Sequence, residues 1–341
     1  MNIIELLTFG VRSACSDLHL SAGLPPLIRV DGDMRRIDMP ALDHRGVHDL
    51  ILATMDDKQR KEYERLLDID FSFEVPNLAR FRVNAFIQNR GSGAVFRVIP
   101  EKAPSLAEID APKVLRDIAG FSRGMVLVAG PTGSGKSTTL AAMVGYKNET
   151  EYGHILTLED PIEFIHESKR CLVNQREVHR HARGFNDALR SALREDPDVI
   201  LIGEMRDPDT IRLALTAAET GHLVFCTLHT NSAAKTVDRI VGVFPGAEQE
   251  LIRAMLSESL RAVIAQVLLK RIGGGRVAAH EIMVMTPAIR NLIRENKIAQ
   301  IHSAIQTGRQ FGMRTLARSI EELIASGMVP PDGTQPGGGD F

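Results

Sequence analysis

The chain has 341 residues, of which 44 % are apolar, and its 41 basic and 43 acidic residues leave a net charge of −2. Such a near-neutral balance does not favour a dedicated nucleic-acid-binding protein, so no nucleic-acid partner is predicted. The length and the apolar content are sufficient for two or three domains, each with its own core.

Cysteine usage and the absence of a membrane signal indicate the compartment. Cys15, Cys171 and Cys226 lie far apart and form no CxxC motif, which favours a reducing compartment and argues against a thiolate zinc site. Residues 1–7 have no basic n-region or cleavage site and are predicted to form a short amphipathic helix. No apolar run approaches the ~20 residues of a membrane span. The sequence therefore predicts a cytoplasmic protein whose membrane association is only through partners.

Residues 1–100 are predicted to form a mixed α/β domain. Strand patterns occupy 18–20, 27–30, 80–87 and 94–99, turns fall at 31–33 and 89–93, and helix-spaced apolar residues extend over 47–67. From Phe81 to Ile87, apolar and polar residues alternate, so the apolar ones are predicted to share one face. For Arg80, Arg82 and Arg97, a solvated sheet face is the simpler interpretation of the residues alone.

A change of composition marks the end of this domain. Pro100, Pro104 and Pro112 stand among polar residues, which is typical of a linker. We predict four parts: a domain at 1–100, a linker at 101–115, a second domain at 116–329, and a disordered tail, rich in Pro and Gly, at 330–341.

The second domain opens on an apolar strand pattern at 125–129 and continues into a helix from Ser137. Between them stands the pattern G-x-x-x-x-G-K-[ST], made of Gly130, Pro131, Thr132, Gly133, Ser134, Gly135, Lys136 and Ser137, with Thr138 next in line. In nucleotide triphosphatases this pattern cradles phosphates on backbone N–H groups, while the lysine reaches the β- and γ-phosphates and the hydroxyl faces Mg²⁺. An accidental glycine-rich turn is the weaker alternative, because a strand precedes the pattern and a helix follows it. ATP and Mg²⁺ are therefore the predicted ligands.

Three carboxylates stand at the end of the next predicted strand, 154–159: Glu159, Asp160 and Glu163. In parallel α/β sheets ligands bind at the carboxyl ends of strands, where a carboxylate can hold Mg²⁺ through water or deprotonate an attacking water. Asp160 is also interpreted as the N-cap of a helix with Pro161 at its first position, which leaves Glu159 and Glu163 unexplained.

A short buried-strand pattern at 199–202 ends in Gly203 and Glu204. It looks like a Walker B strand with a departure, because Gly203 occupies the position that usually supplies a magnesium aspartate. Metal contact is then expected mainly from Ser137, the phosphates and water, with Glu204 close by. A solvated loop acid is the alternative interpretation of Glu204.

His222 and His229 stand at the two ends of the strand pattern 223–228. Either histidine could sense the γ-phosphate or contact a neighbouring subunit, and two purely structural histidines are at least as good an interpretation. A zinc pair is not expected, because an extended strand separates them by about 23 Å.

The C-terminal part is predicted to be helical. Apolar residues at helical spacing extend over 247–270, and a further helix is expected at 287–295. In that second helix the inward positions are Ile289, Leu292 and Ile293, and the outward positions are Arg290 and Arg294.

Together these motifs resemble the secretion-ATPase superfamily and, within it, the retraction ATPases of bacterial type IV pili. The resemblance covers about residues 1–327, and its motifs lie at 16–26, at the phosphate loop, in an "Asp box" at 156–163, at Gly203-Glu204, in a "His box" at 220–230 and at 288–295. The stretch 288–295, AIRNLIRE, looks like the signature of the retraction branch. The similar extension ATPases usually carry a longer N-terminal region and a paired-CxxC zinc element, and both are missing here.

The resemblance implies an α/β chain with a PAS-like α+β N-terminal domain and a RecA-like P-loop ATPase domain that ends in a helical tail. It implies a homohexameric ring with ATP between the two domains, at the cytoplasmic inner-membrane base of a pilus machine and bound to its platform protein. In such rings N-terminal arginines reach the phosphates, which makes Arg82 and Arg97 candidates, with Arg80 behind them.

The resulting hypothesis is ATP hydrolysis coupled to mechanical work. Glu163 orients or deprotonates the attacking water, Glu204 supports the metal, and His229 is a further catalytic candidate, while Glu159 and His222 are placed in the nucleotide site. The division of labour between Glu163 and Glu204 stays open. A nucleic-acid motor with the same core and a nucleotide-binding regulator without turnover are the alternatives.

Overall fold

The structure is a computed structural model, which describes residues 2–99 and 102–331. The described residues form two compact units, divided between Lys102 and Ala103. Both units combine helices with a β-sheet, so the predicted α/β fold class is confirmed. The finer division into 1–100, 101–115, 116–329 and 330–341 stays a prediction, and the predicted disordered tail lies outside the described residues from residue 332 onward.

The first unit is an antiparallel sheet with three helices. Its elements are α1 (Ile3–Arg12), β1 (Asp17–Ser21), β2 (Leu27–Val30), β3 (Asp33–Arg36), α2 (His44–Leu52), α3 (Asp57–Leu66), β4 (Asp68–Val75), β5 (Ala79–Gln88) and β6 (Gly91–Ile99). The strand order is β3-β2-β1-β6-β5-β4, and every neighbouring pair is antiparallel. The strands predicted at 18–20, 27–30, 80–87 and 94–99 are confirmed.

Two details of the first unit differ from the sequence prediction. On the predicted apolar face of β5, Phe81, Val83 and Ala85 are buried, but Ile87 is 39 % exposed because it lies near the end of the strand. The region 47–67 is two helices and not one. Asp56 caps the second of them, accepting from the Gln59 N–H while the Gln59 side chain accepts from the Asp56 N–H, and this capping box starts a new helix.

The second unit contains the motif-bearing part of the chain. Its elements are α4 (Val114–Ala119), β7 (Gly124–Ala129), α5 (Lys136–Thr150), β8 (Gly153–Glu159), β9 (Cys171–Glu177), α6 (Phe185–Ala192), β10 (Val199–Ile202), α7 (Pro208–Glu219), β11 (Leu223–Leu228), α8 (Ala233–Gly242), α9 (Gly246–Ser259), β12 (Leu260–Lys270), β13 (Arg276–Val284), α10 (Pro287–Arg294), α11 (Ile301–Thr307) and α12 (Leu316–Ala325). The strand order is β13-β12-β7-β11-β10-β8-β9. All neighbouring pairs are parallel except β12–β13.

Both faces of this sheet are buried. In β7, Met125 and Leu127 pack into a cluster with residues of α6, α7, α8 and α9, whereas Val126 and Val128 pack with residues of α4 and α5. A sheet covered on both faces needs strands that are apolar throughout, and β7 is buried at every position. Because these strands are parallel, their carboxyl ends lie at the same edge of the sheet, and the loops that follow them carry the motifs.

The prediction of one helix over 247–270 is wrong. Helix α9 ends at Ser259, and residues 260–270 form β12, buried between β7 and β13. A fully buried strand is apolar on both sides, so its residues also satisfy a helical spacing, and periodicity alone does not separate the two. The β-branched residues Val263, Ile264 and Val267 favour the strand.

The helix predicted at 287–295 is confirmed as α10. Ile289 and Ile293 are fully buried and Leu292 is partly buried against the same cluster. Arg290 and Arg294 point outward and both pair with Glu258 of α9, the closer contact being 2.6 Å. Within the described part of the chain, no helix is long and apolar enough to cross a membrane.

Candidate functional site

The site lies where β7, β8, β10 and β11 end. Ile202 at the end of β10 is level with Leu158 of β8 and Cys226 of β11, and Leu228 of β11 is level with Ala129 of β7. The segments that follow these strands are the phosphate loop, the stretch from Glu159 to Glu163, Gly203-Glu204 and the segment with His229. Four sequence motifs thus meet at one edge of one sheet, as expected for a ligand site in a parallel α/β sheet.

The phosphate loop has the backbone that its glycines predict. Gly133 and Gly135 have φ of +77° and +84°, which favours glycine. A Cβ on Gly130 would lie 2.4 Å from Ser134 Oγ and 2.5 Å from the Gln266 carbonyl oxygen, so no side chain fits there. A Cβ on Gly133 would meet no atom within 4 Å among the described residues, so this side of the loop is open to a ligand.

Lys136 is folded onto the loop. Its Nζ donates to the carbonyl oxygens of Gly130 (2.8 Å) and Pro131 (3.0 Å), and the residue is only 8 % exposed. Burial lowers the pKa of Lys136, while the nearby carboxylates of Glu204 and Glu163 act in the opposite direction. Lys136 and the two glutamates proposed for catalysis therefore lie within electrostatic reach of one another.

A buried glutamine supports the loop from behind. Gln266 of β12 donates from Nε2 to the Ser134 carbonyl oxygen (2.7 Å) and accepts at Oε1 from Thr139 Oγ1 of α5 (2.9 Å). It ties the loop and the first turn of α5 to the sheet. Gln266 is not among the predicted site residues, because the stretch around it has the apolar spacing of a helix. The signal available in the sequence is a polar residue within an apolar run.

Glu204 is held between two cationic or potentially cationic side chains. Its Oε2 lies 2.7 Å from Arg206 Nη2, and its Oε1 lies 3.2 Å from His229 Nε2. Burial raises the pKa of Glu204, but Arg206, His229 and Lys136 outweigh burial, and the net pKa is below the usual value. Glu204 is therefore a carboxylate at neutral pH. The structure places His229 in this group, and Arg206 is a member that the sequence analysis missed.

Glu163 lies in an irregular segment between β8 and β9. The helix predicted to start at Asp160 and Pro161 is wrong, because residues 160–166 form no helix. The motif S/T/D/N-Pro is a helix-start signal, but here the segment bonds to β9 instead, which satisfies its backbone groups without a helical turn.

Glu159 is the last residue of β8 and is partly buried. It accepts from Thr157 Oγ1 (2.6 Å), from Gln175 Nε2 (3.2 Å) and from the Glu163 backbone N–H. Burial raises the pKa of Glu159 to about 7, and the charge of Glu163 adds to this. It lines a cavity of about 30 Å³ together with Ser137, Gly203 and Thr227.

We expect Glu159→Gln to raise Tm relative to the wild type at pH 8 and much less at pH 5. The carboxyl of Glu159 titrates near 4.5 in the unfolded chain and near 7 in the folded one, so the folded state binds the extra proton and wild-type stability falls as pH rises through this interval. The difference between these two pKa values corresponds to about 3 kcal/mol in the free energy of unfolding. Glutamine does not titrate, so the variant does not lose this stability as the pH rises. Calorimetric Tm values of both proteins at several pH values test this, with Glu167→Gln as a surface control. Parallel curves would contradict it.

His222 is at the opposite edge of the sheet. Its carbonyl oxygen accepts from the N–H of Gly124, the first residue of β7, at 2.9 Å, and its Nδ1 lies 3.0 Å from the Ala217 carbonyl oxygen at the end of α7. The structure therefore does not bring His222 to the phosphate loop of the same chain. The polar contacts of His222 are those of a residue that closes the α7–β11 turn.

Arg82 and Arg97 belong to the first unit. They are directly opposite each other on β5 and β6, so they share one face of the sheet. Arg82 Nε lies 3.8 Å from Asp70 Oδ1, and Arg97 Nε donates to Asp17 Oδ1 at 2.9 Å. Arg80 donates to a serine of β4. Contact of these arginines with a nucleotide stays a prediction.

The donor set at the strand ends suits a magnesium nucleotide. Within the described part of the chain, no group of three or more His, Cys, Asp or Glu side chains could hold a metal on its own. One hydroxyl, Ser137, and one carboxylate, Glu204, are oxygen donors, and Mg²⁺ in nucleotide sites takes one or two such groups plus phosphates and water. A parallel sheet with this loop and these carboxylates defines a P-loop nucleotide triphosphatase.

Within that class, a family model described as "Type II/IV secretion system protein" matches residues 10–331, and the chain belongs to this family. It is 67 % identical over 329 residues to the type IV pilus retraction ATPase PilT of Pseudomonas aeruginosa, covering 96 % of both chains. It is 62 % identical over 333 residues to a twitching motility protein of Neisseria gonorrhoeae, covering 97 % of this chain and 89 % of the relative. A crystal structure of the pilus retraction motor PilT with bound ADP is similar at a TM-score of 0.87 and 43 % identity, covering 100 % of this chain and 98 % of that one.

Proposed function

We propose that this chain is an ATP-hydrolysing motor that powers retraction of type IV pili. The observation that carries the proposal is the 67 % identity to a pilus retraction ATPase across 96 % of both chains. The site supports it, because the phosphate loop, Lys136, Glu163 and Glu204 are all present at one sheet edge. A regulator that binds nucleotide without turnover would have no need of the two carboxylates beside the loop.

The loop and Lys136 bind the phosphates of ATP. The backbone N–H groups of the phosphate loop contact the β-phosphate, and Lys136 exchanges its two carbonyl contacts for phosphate oxygens. Ser137 and Glu204 would hold Mg²⁺, directly or through water. When bound, Mg²⁺ supplies positive charge next to the β- and γ-phosphates.

Glu163 is the proposed general base for the water that attacks the γ-phosphate. The water oxygen forms a bond to the γ-phosphorus, the bond from that phosphorus to the β–γ bridging oxygen breaks, and ADP leaves. The proton of the water passes to the Glu163 carboxylate. Arg206 and His229 keep Glu204 ionised and oriented while charge develops on the γ-phosphoryl group.

Assembly completes the motor. We propose a homohexameric ring in the cytoplasm at the inner-membrane base of the pilus machine, bound to the platform protein of that machine. In the ring, Arg82 and Arg97 are the proposed arginines that reach the nucleotide phosphates, and ATP lies between the two domains. Hydrolysis changes the angle between domains, which turns the platform and draws pilin subunits out of the fibre.

The first experiment is steady-state phosphate release, with oligomeric state followed by light scattering, for the wild type and Glu204→Ala. We expect Mg²⁺-dependent hydrolysis by a wild-type hexamer and a loss of about 10²-fold or more in the variant, because a metal-supporting charge acting on the transition state is removed. Glu219→Ala, an exposed acid at the end of α7, is the control and should match the wild type.

Two outcomes would overturn the proposal. ATP binding without phosphate release by the assembled wild type would favour the regulator, and strong stimulation of ATP hydrolysis by single-stranded DNA would favour the nucleic-acid motor.

A second experiment tests the function in cells. In cells that lack their own retraction ATPase, the wild-type chain should restore twitching, and Glu204→Ala should leave the cells piliated but immobile. If the wild type and Glu204→Ala both restored twitching, retraction would not depend on ATP hydrolysis at this site.

A further inference from the structure

We propose that Gln175 on strand β9 is a positioning residue for ATP hydrolysis, which acts by holding the segment that carries Glu163. The inference rests on the proposed function, since it takes Glu163 as the residue that acts on the attacking water. Gln175 itself belongs to no motif in the sequence. It bonds instead to the segment 160–166, the irregular connection that follows β8.

The side-chain amide of Gln175 makes three hydrogen bonds. Its Oε1 accepts from the His166 backbone N–H (2.8 Å), and its Nε2 donates to the Phe164 carbonyl oxygen (2.8 Å) and to Glu159 Oε1 (3.2 Å). Both donor hydrogens and the acceptor are in use, so the amide is fixed in one orientation. These partners lie on both sides of Glu163 in the chain.

A second side chain of β9 holds the residue before Glu163. Glu177, two residues after Gln175 and therefore on the same face of the strand, accepts at Oε2 from the Ile162 N–H (3.2 Å). Glu177 is only 6 % exposed. The two neighbours of Glu163 in the chain, Ile162 and Phe164, are thus both bonded to side chains of β9.

This arrangement explains how an irregular segment can hold a catalytic carboxylate. Residues 160–166 have no helix or strand of their own, so their backbone groups must find other partners. Without Gln175, the Phe164 carbonyl loses this partner and the segment relaxes toward other bonds. A displacement of about 1 Å at a reacting group costs about 10²-fold in rate.

The opposite face of β9 provides a matched control. Arg176, between Gln175 and Glu177 in the chain, pairs with Glu195 at 2.7 Å and donates to the His181 carbonyl oxygen, so its side-chain contacts lead away from the segment 160–166. Arg176→Gln therefore removes a polar contact of the same strand without touching the Glu163 segment. It should leave ATP turnover within about twofold of the wild type.

The test compares Gln175→Ala, Glu163→Gln and the double variant in hexameric protein. We expect Gln175→Ala to lower kcat by about 10- to 100-fold while KM and the Kd for ATP change by less than about threefold. In the Glu163→Gln background, the same substitution should lower the residual turnover by less than about twofold, because its effect passes through Glu163. Hydrogen exchange of the amides of Ile162 and His166 should speed up in Gln175→Ala and not in Arg176→Gln.

Three results would overturn the inference: wild-type kcat in Gln175→Ala, a rise in KM without a fall in kcat, or an equal fall of turnover with and without Glu163. If Gln175→Ala does not fold, Glu177→Ala takes its place with the same expected non-additivity, and Glu177→Gln, which keeps the acceptor for Ile162, should recover most of the rate. Wild-type turnover in Glu163→Gln alone would instead contradict the proposed mechanism.

Discussion

Replacing Glu163 with glutamine is expected to lower phosphate release by about 10²- to 10⁴-fold, the usual contribution of a general base. Glutamine keeps the size of the side chain and can hydrogen-bond to water, but it cannot take the proton. The Kd for ATP should change by less than about threefold, because the lost interaction belongs to the transition state. Single-turnover phosphate release and equilibrium binding of a fluorescent ATP analogue measure the two quantities separately.

The control for this variant is Glu167→Gln, an exposed acid four positions further along the chain. It removes one negative charge close in sequence and should leave turnover unchanged. If Glu163→Gln keeps wild-type turnover, the base is misassigned. Glu204 would then be the remaining carboxylate at the strand ends close to Lys136, and the division of labour between the two glutamates would be reversed.

Replacing Lys136 with alanine is expected to lower kcat/KM by about 10³-fold, with losses in both ATP binding and kcat, because the ammonium contacts the phosphates before and during the reaction. The variant should nevertheless fold. In the free protein, the Nζ of Lys136 makes two hydrogen bonds to carbonyl oxygens, while burial of its charge lowers its pKa, so its removal loses two contacts and relieves the burial of a charge. A thermal melt separates this prediction from simple unfolding, and we expect a Tm close to that of the wild type.

Two further substitutions sharpen the lysine prediction. Lys136→Arg keeps the charge but replaces a compact ammonium with a planar guanidinium, and it should remain strongly impaired if position matters more than charge. Lys113→Ala removes an exposed lysine before α4 and should have no effect. ATP binding at wild-type affinity by Lys136→Ala would mean that the phosphate loop binds through its backbone alone.

The phosphate loop was predictable because its chemistry needs particular residues at particular spacings. A loop that wraps phosphates closely requires glycine where a Cβ would collide, as at Gly130, and one lysine at its end. The carboxylates Glu163 and Glu204 were predictable for a related reason: each stands just after an apolar strand, and the ends of parallel strands come together. Local sequence was therefore enough to predict most of the residues that the structure places at this edge of the sheet.

The residues that hold the phosphate loop and the carboxylates in place were not predictable in the same way. Gln266 and Gln175 make contacts that depend on which strands are neighbours, and strand order is a property of the whole sheet. Arg206 pairs with Glu204 only two residues away, but the sequence does not show that its side chain turns back onto that carboxylate. Strand β12 was interpreted as a helix because complete burial removes the alternation that identifies a strand. Strand direction decides which end of β11 faces the phosphate loop: β11 is parallel to β7, so His229 joins Glu204 and His222 does not.

Among the described residues, strand β9 is the outermost strand of the second sheet and has a hydrogen-bonded strand neighbour on one side only. Local unfolding costs less free energy at an edge strand than at an interior strand of a sheet. The phosphate loop, by contrast, follows the interior strand β7 and is braced from β12. The two parts of the candidate site therefore differ in their support. The phosphate loop, proposed to bind the nucleotide, is attached to interior strands, whereas the segment of Glu163, proposed to act on the water, is attached to an edge strand. We therefore expect ATP turnover to be lost at a lower temperature than nucleotide binding or the fold itself.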